Sequence, residues 1–469
     1  MRGMGVLDVI TRISELIPEV RRPTQKHLSF KEKLKWTGLI LVAFFALGLV
    51  PLYGLGGNAF EQFEFLSIIL GASFGSILSL GIGPIVTSSI VLQLLAGSGL
   101  LPLDLTTHEG REKFQGLQKV GTYFFILFEA AIYVFMGGLT PNPALAGSPA
   151  YLEMQFILAF QLVLGGIVVV FMDEVVDKWG FGSGVSLFIL AGVSQSLVIR
   201  LFSPLHPVTN PSAYVGAVPE LLRSLASGDS TTAGLEFMAI FFTLVVFAMC
   251  VFGQAMKIEI PLSFGRVRGY SIRWPLNFLY TSNIPVILVS ALMANLQLWA
   301  RLMQNWGYPL LGTFVGNTPA SGLVALLNPP NIAGAVLRGS LTPRDLLSAA
   351  VYLVVFLFGC LVFSVFWVQT SGMDAKSQAK QIMASGLQIP GFRRDPRILE
   401  RILSRYIGPL TVMGGISIGV LAATADLLGA LERGTGILLA VMIVYKLYED
   451  IARQHMMDMH PMMRRFMEG

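Results

Sequence analysis

FLSIILGASFGSILSLGIGPIVTSSIVLQLLA, residues Phe65–Ala96, decides how the chain has to be read. Its 32 residues carry no charge, yet they are too many for one crossing. About 20 helical residues span the hydrocarbon layer of a bilayer. The run is also broken, by Gly71, Gly75, Gly81 and Gly83 and finally by Pro84. An interior glycine costs a helix about 1 kcal/mol, and proline fits without a kink only in the first turn. Two pieces are expected: a half-helix over about residues 64–74, and a full helix that begins between Ser79 and Pro84. Hydrocarbon does not satisfy the backbone groups that a half-helix leaves open. That piece must therefore be covered by protein or line a watery cavity enclosed by the rest of the chain.

Composition agrees with a membrane setting. Of 469 residues, 54% are hydrophobic and 13% charged, and the mean hydropathy is +0.67. Such values describe a polytopic membrane protein. Cys250 and Cys360 both fall in apolar segments and read as small buried hydrophobes, not as a disulfide. Residues 1–34 are basic, with Val6, Val9, Ile10, Ile13 and Ile17 at helical spacing, which predicts an amphipathic segment in the interface plane. No cleavable signal pattern is visible there.

Ten spans are expected, at roughly 35–55, 79–96, 115–138, 151–172, 183–202, 234–254, 276–300, 346–370, 405–428 and 433–450. Lysine and arginine orient them. With both termini in the cytosol, all of the 33 basic residues lie inside except Arg200, Arg223, Arg301, Arg338, Arg344 and Arg433. The polar outer loop 203–233 divides the spans into five and five. An odd count per half makes the second half enter from the opposite side, the geometry of an inverted repeat. The expected organisation is a cytosolic segment 1–34, a first half 35–202, an external hinge 203–233, a second half 234–450 and a cytosolic tail 451–469. The loops 255–275 and 371–404 face the cytosol and put arginines into Gly-Arg-Val-Arg-Gly (265–269) and Gly-Phe-Arg-Arg-Asp (391–395). Positive-inside bias explains such loops; so does a docking surface for a polyanion.

Glu129 stands in the middle of YFFILFEAAIYVFMGG. A carboxyl there costs at least ~2.5 kcal/mol on insertion, so it marks either a functional site or an interhelical pairing. Thr87, Asn295 and Gln297 are its candidate partners. Ile82 and Val86 share one helical face, as do Val185 and Ile189 on a segment that also carries Ser183, Ser186, Ser194 and Ser196. Isolated aliphatics of this kind suit a hydrophobic constriction or ordinary packing. Catalysis finds no support. Gly71-Ala72-Ser73-Phe74-Gly75 matches G-x-S-x-G but lacks a preceding strand and partner residues. His27, His108, His206, His455 and His460 form no ligand-spaced cluster, and no phosphate-binding loop is present. No metal or cofactor is expected. From these residues alone, a channel and a secondary transporter using Glu129 as a proton site both stand.

LGIGPIVTSSIVLQLL (80–95), YTSNIPVILVSALMANLQLW (280–299), IPLSFGRVRGY (260–270), RGTGILLAVMIVYKLYE (433–449), KEKLKWTG (31–38) and GFGSGVSLFILAGVSQ (180–195) together resemble the SecY family, the large subunit of the protein-conducting translocon. The loops are similar to its archaeal and eukaryotic branch. The resemblance implies an all-α channel, ten transmembrane helices in two inverted halves around a central pore, with both termini cytosolic in a cell membrane or endoplasmic reticulum. It implies a pore ring at Ile82, Val86, Val185, Ile189, Ile287 and Leu439. It implies a plug at Glu64, Phe65, Leu66, Ser67, Ile68, Ile69, Leu70, Gly71, Ala72, Ser73 and Phe74. A lateral gate is implied at Thr87, Glu129 and Asn295, and ribosome docking at Arg266, Arg268, Arg393 and Arg394. Implied partners are a SecE-like subunit, a small third subunit of SecG or Sec-beta type, a ribosome or other driving partner, secretory polypeptides and the lipid bilayer. The implied work is passage of secretory chains and sideways release of apolar segments.

Overall fold

The computed structural model describes residues 16–24, 28–58, 72–97, 100, 107–206, 212–264, 271–281, 284–315, 318–384, 387–388, 395–431 and 434–459. In chain order the first half holds α1 (Phe30–Gly48), β1 (Leu55–Asn58), α2 (Gly83–Gly97), α3 (His108–Phe135), β2 (Leu139–Pro141), α4 (Pro149–Trp179) and α5 (Gly184–Phe202). Then come α6 (Ala217–Ser227), α7 (Ser230–Ala255), β3 (Lys257–Phe264), β4 (Ser271–Asn277), α8 (Ile284–Asn305), β5 (Phe314–Val315), β6 (Thr318–Pro319), α9 (Gly322–Leu326) and α10 (Ile332–Leu337). The chain ends with α11 (Pro343–Thr370), α12 (Ala375–Ala384), β7 (Leu387–Gln388), α13 (Pro396–Leu427) and α14 (Gly434–Met459).

Each expected span has its helix. By length and composition, α3, α4, α5, α7, α8, α11 and α13 can cross a membrane, and α2 is a shorter apolar helix. Helix starts follow capping chemistry. Ser29 and Glu32 form a capping box at α1, Thr342 and Asp345 another at α11, and Asp229 accepts from Thr231 and Thr232 at α7. α2 begins at Gly83, with Pro84 in its first turn, inside the window read from the sequence.

Four expectations need correction. The seventh span does not begin at 276: residues 271–277 are strand β4, paired along its length with β3, and α8 starts at Ile284. Trp274, Leu276 and Phe278 alternate at period two, a strand signal that an apolar run disguised. The loops 255–275 and 371–404 are therefore joined, because β7 pairs with the end of β3 to complete a three-stranded sheet. α4 runs on to Trp179, well past 172, and carries Asp173, Glu174, Asp177 and Lys178 beyond its apolar stretch. The loop 203–233 is not irregular throughout: it contains helix α6, which packs against α7. Finally, the half-helix does not extend through Ala72, Ser73 and Phe74, which are coil and turn. Glu64–Gly71 lie outside the described residues.

That coil is fixed on both sides. Leu52 N–H donates to Gly75 O at 2.9 Å, Ile77 N–H to Val50 O at 3.0 Å, and Ser73 Oγ to Gly48 O at 3.0 Å. α4 closes onto the same segment at Gly165, where a Cβ would fall 1.9 Å from Ile77 O. Close backbone approach at small residues is how helices pack where lipid offers no hydrophobic drive. At the opposite end, residues 16–24 are tied to α3 and α4. Glu19 pairs with Lys178 and lies 3.5 Å from Lys119, and Trp179 Nε1 donates to Arg21 O.

Candidate functional site

Four helices begin with aliphatic residues that meet in one cluster. Ile82 stands one residue before α2 and Val86 lies in its first turn; Val185 and Ile189 open α5, Ile287 opens α8, and Leu439 lies near the start of α14. Ile82, Val86, Ile189, Ile287 and Leu439 are buried members of a single hydrophobic cluster, and half-buried Val185 packs against it. The start of α5 is held by α4: Val185 N–H donates to Asp173 Oδ1 at 2.8 Å. Aliphatic side chains offer a passing ion or polypeptide no hydrogen bond, so such a cluster can only exclude or loosely enclose.

A polar chain runs beside it. Thr87 Oγ1, on α2, donates to Glu129 Oε1 of α3 at 3.0 Å, and Asn295 Nδ2, on α8, donates to Thr87 Oγ1 at 3.2 Å. All three residues are buried, Glu129 to 3% exposure. The chain therefore joins α2 and α3 to α8, and α2 also packs against α11. Glu129 Oε2 has no hydrogen-bond partner among the described residues. A buried polar atom left unpaired costs about 1–3 kcal/mol, so this contact holds the helices together weakly. Gln297 stands apart from the chain, beside a cavity lined also by Ser290, Met293 and Tyr352.

Arg266, Arg268, Arg393 and Arg394 lie outside the described residues, although the sheet between their loops is described. Among the described residues no group of three or more histidine, cysteine or acidic side chains could hold a metal ion. Sequence reasoning overlooked two buried acids, Glu220 beside Arg223 in α6 and Asp426. Asp426 ends the ninth span and binds both Tyr352 and Thr435. The signal was the one that singled out Glu129, an acid in an apolar stretch, but its place near the helix end made it read as a boundary residue.

A family model described as SecY matches residues 76–448, which takes in α2 to α13, the first part of α14, the six aliphatic residues and the polar chain. The chain belongs to the SecY family. It is 44% identical over 456 residues to the protein translocase subunit SecY of Methanothermobacter thermautotrophicus, covering 96% of this chain and 97% of that protein. It is 43% identical over 482 residues to the SecY subunit of Pyrococcus horikoshii, covering 99% and 100%. A solved structure described as that of a protein conducting channel matches with a TM-score of 0.81 and 39% identity, over 96% of this chain and 98% of the other. Sec61 in a canine ribosome-channel complex from the endoplasmic reticulum matches with a TM-score of 0.78 and 38% identity, over the same shares. The chain is thus an integral membrane protein and the SecY-type subunit of a protein-conducting channel. The rival reading as a small-solute transporter falls with that membership.

Proposed function

We propose that Ile82, Val86, Val185, Ile189, Ile287 and Leu439 form the constriction through which secretory polypeptides pass, and that Thr87, Glu129 and Asn295 close the lateral seam through which apolar segments leave. The observation that carries this reading is the buried bridge from Asn295 to Thr87 to Glu129, which crosses from α8 to α2 and α3 next to the aliphatic cluster. Residues 64–74 act as the plug of the outer funnel, and their trailing end is anchored through Ser73, Gly75 and Ile77. An apolar segment that reaches the seam gains ~25 cal/mol for each Å² it buries in lipid. The two inverted halves hinge at 203–233.

Both termini face the cytosol, in keeping with the bias of lysine and arginine. There the sheet of β3, β4 and β7 supports the loops that carry Arg266, Arg268, Arg393 and Arg394, a docking face for a ribosome. A SecE-like subunit and a small third subunit of SecG or Sec-beta type complete the complex. The channel is passive and needs no cofactor; a ribosome or other motor supplies direction. The test is to place a cysteine at Ile82 or Ile287 and cross-link a stalled secretory chain. Adducts at both positions support the path. Adducts at neither, with the chain engaged, overturn it.

A further inference from the structure

Beyond the aliphatic cluster and the polar chain, the second half contains a third built feature. Asp426, at the end of α13, is 7% exposed. Its Oδ2 accepts from the Tyr352 hydroxyl of α11, and its Oδ1 accepts from Thr435 N–H of α14 at 3.1 Å. Tyr352 and Thr435 are buried as well. One carboxyl group thus joins the consecutive helices α13 and α14 to α11, whose Tyr352 lies 74 residues back in the chain. A buried carboxyl is retained only where its oxygens are satisfied, and here the donors come from the flank of one helix and the start of another.

The loop between α13 and α14 is held from further elements. Arg200 of α5 donates to Leu431 O at 3.0 Å, and Leu431 N–H donates to Thr243 Oγ1 of α7 at 3.0 Å. Gly429 has φ +69°, and a Cβ there would fall 2.4 Å from the Asn331 side chain. The start of α14 therefore has little freedom to shift by itself. Leu439 lies four residues after Thr435, one turn along the same face. α11, which carries Tyr352, packs against α2 across the seam.

We propose that Asp426 is a positioning residue for the constriction: through Thr435 it seats the helix that carries Leu439, and through Tyr352 it couples that seat to α11 at the seam. This rests on the reading of the six aliphatics as the constriction. Opening the seam would then displace the constriction directly through one shared carboxyl group.

The test uses the full chain with its co-purifying subunits, reconstituted in planar bilayers, with resting ion conductance and thermal stability as readouts. Tyr352→Phe, Asp426→Ala and the double variant are compared with Ile82→Gly. Tyr352→Phe removes one hydroxyl and keeps the ring tilted against Phe356, so it keeps the test independent of any folding defect in Asp426→Ala. The expected result is raised resting conductance for Tyr352→Phe in a protein that still unfolds cooperatively, its melting temperature lowered by no more than that of Asp426→Ala, and a double variant that leaks no more than Asp426→Ala, as for two groups acting through one contact. Wild-type conductance for Tyr352→Phe while Ile82→Gly leaks overturns the proposal and spares the constriction. A tight Ile82→Gly channel overturns the constriction reading itself.

Discussion

Asn295 and Thr87 lie 208 residues apart in sequence, and their side chains meet at 3.2 Å in the membrane interior. Thr87 spends its own proton on Glu129, so it accepts from one helix and donates to another. Asn295 is the sole member of the chain on the α8 side. Interhelical hydrogen bonds in membranes contribute about 0.6–1.7 kcal/mol, which shifts a closed-to-open ratio by roughly 3- to 20-fold. Asn295→Ala is accordingly expected to ease opening: a secretory substrate with a weakened signal segment should be translocated more efficiently, while a strong signal is little affected. Glu129→Gln, which keeps an acceptor for Thr87, should lie closer to wild type. Equal dependence on signal strength in all three proteins would remove the polar chain from the gate.

The constriction predicts a leak. Ile82 and Ile189 are fully buried, so replacement by glycine empties space that no neighbour is positioned to fill. A gap lined by aliphatics stops ions only while it is too narrow to wet. Resting conductance of Ile82→Gly and Ile189→Gly should rise above background, and Ile82→Leu, which keeps the volume, should remain tight. A glycine variant as tight as wild type would place these residues in ordinary packing.

Much of this was legible in the sequence because it followed from hydrophobic length, glycine and proline position, and basic bias. The break before Pro84 and the ten helices came from those signals. What could not be read depended on pairing between distant segments. Leu276 and Phe278 read as the start of a span, yet Leu276 lies in β4, opposite Ile258 of β3. Asp426 became informative only when Tyr352 and Thr435 appeared on either side of it. Gly165 gave no local hint of its contact with Ile77, since one helical glycine resembles another until its neighbour is known.

Gly165 and Gly38 make an internally controlled pair. A Cβ at Gly165 would fall 1.9 Å from a backbone oxygen, whereas one at Gly38 meets nothing within 4 Å. Gly165→Ala must push α4 away from the segment around Ile77, and overpacking typically costs about 1–3 kcal/mol. Gly38→Ala should be neutral, or stabilising by up to about 1 kcal/mol through helix propensity. Thermal unfolding in detergent should therefore separate the two in opposite directions, and a Gly165→Ala protein as stable as wild type would contradict the close approach.

The tie between residues 16–24 and α4 is sensitive to acid. A hydrogen bond from Lys178, aided by Lys119, holds Glu19 below the usual carboxylate range. A carboxyl whose folded pKa is depressed contributes stability above its unfolded value of about 4.3, and that stability is lost as pH falls through the folded value. At neutral pH the segment should be protected, and below about pH 4 it should release. Cleavage after Arg21 or Arg22 by an acid-tolerant protease would report this. Glu19→Gln should lose the part of this protection that depends on pH, leaving the weaker hold of Trp179 and Lys178 on the backbone of Arg21 and Val20. Glu19 is exposed while Lys178 is mostly buried, so high salt should loosen the pair only in part.

Docking on the cytosolic side should show the signature of phosphate contact. β3 ends at Phe264 and β4 resumes at Ser271, so Arg266 and Arg268 fall in the hairpin's connection, while Arg393 and Arg394 lie between β7 and α13. β3 pairs with β7 at Phe264 and Leu387, close in sequence to both arginine pairs, which suits contact with one polyanionic surface. Each phosphate neutralised releases counterions, so affinity falls with salt at a slope of about −0.7 to −0.9 per contact. Charge reversal at Arg266 and Arg393 should weaken ribosome binding at low salt by more than at high salt and flatten that slope by about two contacts. Reversal at Arg200, which holds the loop before α14, should leave the slope unchanged. If the slope is the same in the wild type and in the Arg266 and Arg393 variants, the ribosome docks elsewhere.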